Sequence, residues 1–192
     1  MIENFLDGEW AGADFGWCGL MLTYYQHTQG LSPNLSFIMA NGDDSSSFQF
    51  QRFALASTLM FDGYFCFTNK GAYQSVWWFD EYSVNLTTGE AVKSLSAKGY
   101  LGKPLGDAHN TLSPNETLKN TLLSGGTGAQ NKVWERFFEH GMVLVNPSAS
   151  EKTIDLGGSF KKIKGTTDPA FNNGETVTQV TLPPRSGIIL LQ

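Results

Sequence analysis

Leu35-Ser36-Phe37-Ile38-Met39-Ala40 runs into Asn41-Gly42-Asp43-Asp44-Ser45-Ser46-Ser47, and the architecture turns on how that junction is read. The apolar run alternates too weakly for a half-exposed strand but suits one covered on both faces, as in parallel sheets. The polar run is rich in turn formers, and Ser46 followed three places later by Gln49 fits a capping box for a helix. Phe53, Ala56, Leu59 and Met60 would form that helix's buried stripe. Asp62-Gly63 stops it, and Tyr64 to Thr68 reads as a second buried strand. Upstream, Trp17, Leu20, Met21 and Tyr24 fall at i, i+3, i+4 and i+7, which predicts a helix over 14–28 ended by Gly30 and Pro33. Met1-Ile2 is a third apolar run, closing on Glu3-Asn4. Strand, polar loop, helix, strand is the rhythm of an α/β barrel, whose working groups stand where the strands end.

Beyond Glu90 the pattern changes. Gly and Pro recur every few places from Gly99 to Gly106, so an extended loop is expected there. The polar stretch that follows ends in Ser124-Gly125-Gly126-Thr127-Gly128, which reads as a turn or linker. A phosphate cradle is the sharper reading, but the Lys-Ser/Thr of such a loop is missing. From Lys132 short strand-like runs alternate with tight turns, and Trp134 and Phe137 should fill their core. Strands at that spacing without helices point to a small antiparallel β-sandwich. The expected fold class is thus α/β plus all-β. Its parts are a barrel-like α/β portion at 1–95, an extended loop and linker at 96–130, and a β-sandwich at 131–192.

The chain has 192 residues and is 41% hydrophobic, ordinary for a globular core, with a net charge of -5. Its Lys and Arg residues do not cluster, so a nucleic-acid backbone is not an expected partner. No apolar run approaches the roughly 18 residues of a membrane span, and no membrane partner is expected. The amino terminus lacks a signal-peptide pattern, which leaves extracellular and cytoplasmic locations both open. His27, His109 and His140 are far apart, Cys18 and Cys66 read as free thiols in apolar surroundings, and neither a metal nor a cofactor is expected.

Aromatic residues make up 13% of the chain, with five Trp. Carboxylates beside aromatic rings at strand ends point to sugar chemistry, in which a ring face stacks on an aromatic side chain while Asn or Asp binds hydroxyls. Glu3 is the first catalytic candidate, as a proton donor, because it closes a strand. Asp80 and Glu81 in Trp77-Trp78-Phe79-Asp80-Glu81-Tyr82 come second, and neighbours on an extended segment face opposite sides, so one of them at most would reach a pocket. The other would pair with a base such as Lys70 or Lys93. The substrate-binding candidates are Trp10, Asn41, Asp43, Trp77, Trp78 and Tyr82. Asp43 and Asp44 are also accounted for by turn and helix-dipole effects. Arg52 is expected on the solvated face of its helix.

The run from Trp77 to Tyr82, the run from Gly99 to Gly106, and the tail from Gly141 to Pro147 and from Thr181 to Gly187 together resemble the hypothetical glycosyl hydrolase family 15-like group. The resemblance covers most of the chain and implies a (β/α)8 barrel with a carboxyl-terminal β domain, acting on a glycosidic bond. A full barrel takes about 250 residues, so the resemblance implies the last three strands of a barrel. Strand six would end at Glu3, strand seven would be Leu35 to Ala40 and strand eight Tyr64 to Thr68. Glycoside hydrolysis uses two carboxyl groups flanking the bond, and one of them would then lie upstream. The expected activity is cleavage of O-glycosidic bonds by carboxylate acid/base chemistry. The alternative is a non-catalytic carbohydrate-binding or structural module derived from such an enzyme. An opened barrel interior would be a large apolar surface through which the chain could self-associate.

Overall fold

The computed structural model describes residues 1–3, 5–6, 16–33, 35–70 and 77–192. Three helices are seen among them: α1 (Gly16–Thr28), α2 (Phe48–Leu59) and the short α3 (Leu118–Leu123). Two strands, β1 (Ser36–Gly42) and β2 (Gly63–Asn69), flank α2 and pair in parallel, Ser36 opposite Gly63 and Gly42 opposite Asn69. Ile2 adds a single parallel bridge to Ile38. Ile38, Ala40 and Phe67 turn inward and are buried, whereas Phe37 and Tyr64 stack on one another on the exposed face, with ring centroids 5.6 Å apart. The parallel sheet is therefore covered on one face only.

A small hairpin of β3 (Val84–Asn85) and β4 (Glu90–Ala91) follows. The remaining strands are β5 (His109–Asn110), β6 (Ser113–Thr117), β7 (Trp134–Phe138), β8 (Gly141–Asn146), β9 (Lys152–Lys162), β10 (Thr176–Leu182) and β11 (Ser186–Leu191). They form one seven-stranded antiparallel sheet in the order β10-β9-β11-β8-β7-β5-β6. Its two faces are both dry because side chains alternate along each strand. Val143, Val145, Ile189 and Leu191 pack toward the helices, while Met142, Leu144, Ile188 and Leu190 pack against Ile154, Leu156, Val180 and Leu182 of the β9–β10 hairpin. The helix layer fits closely. A Cβ on Gly187 of β11 would overlap the methyl of Ala56 and come within 2.9 Å of the Arg52 carbonyl.

These features correct the expected fold class. The chain is mostly β, with one dominant antiparallel sheet, and a portion of a (β/α)8 barrel is not seen. The sandwich expectation is corrected with it. The second layer is not a separate sheet but the β9–β10 hairpin, joined to β11 through Leu190 and Leu191 only and turned over its own sheet. Gly157, with φ +64, lies inside β9, which continues through it. The stretch 96–130, expected as loop and linker, supplies β5, β6 and α3, and β5 pairs with β7. Among the described residues no helix is long and apolar enough to cross a membrane.

Candidate functional site

A cavity of about 650 Å³ opens at the carboxyl ends of β1 and β2, within the usual range for small-molecule sites. The end of β1 brings Asn41, Gly42 and Asp43 to it, and Lys70 follows directly on β2. The opposite wall comes from the antiparallel sheet: Ser148 and Ala149 after β8, and Arg185 between β10 and β11. Trp17, Phe50 and Phe53 supply aromatic wall, and Gln130 and Asn131 add amides from a 3-10 turn. Asn41 is buried and its Oδ1 accepts the Thr68 hydroxyl at 2.7 Å. Among the described residues Asp43 is the one carboxylate in the lining.

The wall that carries Arg185 is held by a buried amide. Asn146, wholly buried, donates through Nδ2 to the carbonyls of Ser150, Leu182 and Pro183 and accepts at Oδ1 from the backbone N–H and hydroxyl of Ser148. The loops after β8 and β10 are thereby tied together. Gln49 Nε2 donates to the Pro184 carbonyl at 2.8 Å, joining the first turn of α2 to the same loop, and Arg185 N–H donates to the Ser148 carbonyl. Arg185 has a φ of +49, in the left-handed region that costs a side-chain-bearing residue roughly 1–2 kcal/mol. No ion pair joins Arg185 to any described carboxylate.

The capping box expected from Ser46 and Gln49 is not formed. Ser46 donates to Asp44 Oδ1 through both its backbone N–H and its hydroxyl, which holds the Asp44 carboxyl below its ordinary range. The residue ahead of α2, Ser47, makes no side-chain cap.

Asp80 and Glu81 stand elsewhere and do other work. They form a 3-10 turn rather than an extended segment, and both are buried. Asp80 Oδ1 accepts from Thr166 N–H at 2.9 Å and Thr167 N–H at 3.2 Å, and Oδ2 accepts from Thr167 and Asp168 N–H and from Asn172 Nδ2. Burial pushes the Asp80 carboxyl up, but these bonds outweigh it and the group lies below the ordinary range. Gly165 is required beside it, since a Cβ there would overlap the carboxylate. Glu81 is pushed up by burial, partly offset by Arg52 at 3.7 Å and by Asn172 Nδ2 at 2.8 Å. Arg52, expected in solvent, is instead buried; its Nη1 pairs with Asp168 Oδ2 at 2.8 Å and its guanidinium lies 3.8 Å over the Phe171 ring. The cluster fastens α2 to the loop between β9 and β10 and leaves its carboxylates no room for a substrate. Arg52, not Lys70 or Lys93, is the base that Glu81 meets.

Of the remaining sequence candidates, Glu3 follows the bridge at Ile2 and is exposed beside the middle of β1, level with Met39. That is about 10 Å short of the strand end at Gly42, outside the cavity lining. Trp77 is half-buried against Phe67 and Tyr82 against Phe65 and Phe79, Trp78 is half-buried, and none of the three lines the cavity. Trp10 lies outside the described residues. Asn41 and Asp43 are the two candidates that the cavity brings together. Trp17, Gln130, Asn131 and Arg185 join it from distant parts of the chain. Their recruitment left one trace in the sequence, the Pro183-Pro184-Arg185 turn before the last strand.

No protein-family model, curated protein or solved structure matches this chain. Function is therefore argued from the site itself.

Proposed function

We propose that the chain binds carbohydrate in the cavity at the ends of β1 and β2, as a module that does not hydrolyse its ligand unaided. The observation that carries this is the composition of the wall: aromatic surface from Trp17, Phe50 and Phe53, facing the amides and acid of Asn41, Asp43, Gln130 and Asn131. An apolar ring face and a circle of hydroxyls need both kinds of surface at once. Hydrolysis asks for two carboxyl groups about 5–10 Å apart across the bond. The described lining offers Asp43 alone, while Asp80 and Glu81 are consumed inside the fold and Glu3 is exposed outside it.

Titration calorimetry of the chain against a panel of neutral oligosaccharides tests the reading. Saturable binding that is lost in Asp43→Ala and Asn131→Ala supports it, as does the absence of turnover on aryl glycosides. Binding that is lost in Trp78→Ala but kept in both cavity variants would move the site elsewhere. Turnover abolished by Asp43→Asn would replace the module with an enzyme.

A further inference from the structure

We propose that the cavity selects acidic saccharides, sugars carrying a ring carboxylate, and that Arg185 is the residue that reads the acid group. The inference rests on the carbohydrate reading above and narrows it. The chain as a whole is acidic, at a net charge of -5, so its long-range field does not favour anions. Arg185 lines the cavity and forms no ion pair with any described carboxylate, so its guanidinium can meet an anion there. Asp43 and Arg185 share the cavity without forming an ion pair with each other. A guanidinium is a planar fork of donors that matches a carboxylate by two parallel hydrogen bonds.

Arg185 is also held for the task. Its own N–H is bonded to the Ser148 carbonyl, the residue before it accepts from Gln49 Nε2, and the residue after it bonds back to Pro183 through its hydroxyl. A turn fixed at three points sets the backbone from which the side chain reaches, so that only the side chain's own rotamers are left to order on binding. The uncapped start of α2, which has no acidic residue in its first turn, faces the same space and adds partial positive charge to it. The neutral groups of the wall remain for ring hydroxyls, so the ligand is an acid and a sugar together.

The test is calorimetry of the intact chain with paired ligands: glucuronate and galacturonate oligomers, their methyl esters, and sulfated counterparts of the same length. The uronates should bind about tenfold more tightly than their esters, the gain expected for a hydrogen-bonded charge, and the gain should shrink as salt is raised. In Arg185→Gln and in Arg185→Gly the ratio of acid to ester affinity should collapse toward one. Lys98→Gln, which removes an exposed charge outside the lining, should leave that ratio as it was. Equal affinity for acid and ester overturns the proposal while the carbohydrate reading stands. An acid preference that survives in both Arg185 variants overturns Arg185 as the reader. A gain as large for the sulfated sugars overturns the carboxylate assignment. No binding of any member overturns both this inference and the reading beneath it.

Discussion

Two groups of charged side chains, each where the helix layer meets the loops of the long sheet, come to opposite ends in this molecule. Around Asp80 and Glu81 nearly every oxygen is answered by a protein N–H or by Arg52, and solvent is shut out. Around Asp43 and Arg185 no ion pair forms among the described residues, and both side chains line an open cavity. The same residue types are therefore mortar in one place and the lining of an open cavity in the other. What separates them is supply: the loop at 165–172 offers a row of backbone N–H groups to Asp80, whereas the turn at Arg185 spends its backbone on Ser148 and leaves the side chain outward.

The contrast can be broken from either side. The largest effect is expected for Arg52→Ala, which leaves Glu81 buried beside no cation. Urea denaturation should report a loss of about 3–5 kcal/mol. Asp80→Asn keeps an acceptor but turns an amide toward N–H donors, and should cost about 2–3 kcal/mol by the same measurement. If either variant is as stable as the parent, the buried cluster is not what fastens α2 to the sheet.

Acid titration separates the two buried carboxyls because their shifts have opposite sign. Asp80, held low, contributes stability above the ordinary aspartate value of about 3.9, and this is lost as pH falls through its lower folded value. Glu81 is raised, so the folded state prefers its protonated form. Its contribution is full below about 4.3 and is lost as pH climbs through its higher folded value. The stability of Glu81→Gln relative to the parent should therefore improve between pH 4 and pH 7. A relative stability that does not change with pH would mean that Arg52 and Asn172 already balance the burial of Glu81.

Smaller effects are expected at the cavity. Arg185→Gly should stabilise the chain by about 1 kcal/mol, because glycine accepts the left-handed backbone freely. Asp43→Asn should leave stability within about 0.5 kcal/mol while weakening saccharide binding. A large destabilisation in either would make the cavity part of the structural framework and erase its difference from the cluster.

The local elements were legible in the sequence and their assembly was not. The stripe of Phe53 and Ala56 does place α2 between two strands, the run at 64–68 falls within β2, and the run at 35–40 overlaps β1 from Ser36 onward. The barrel inferred from that rhythm is not seen, because hydrophobic periodicity reports which face of a strand is covered and not what covers it. Arg52 was misread for a related reason. Helical spacing counts a charged side chain as solvated, and only the long-range meeting with Asp168 and Phe171 makes its burial tolerable. Within the candidate site, Asn41 and Asp43 were readable because turn residues at a strand end are a local signal. Arg185 and Gln130 were not, since they enter from loops more than eighty residues away.

The hub amide at Asn146 carries one further consequence, for the ageing of the protein. Asparagine deamidates when the next backbone nitrogen attacks its side chain, and the next residue here is Pro147, whose nitrogen bears no hydrogen. The joint on which both loops hang is thus chemically durable. Asn41 is followed by Gly42 and lacks that protection. Its hold is the strand itself and the Thr68 hydroxyl on its amide oxygen, so the two asparagines are kept intact by different means, one by the chemistry of its neighbour and one by the fold.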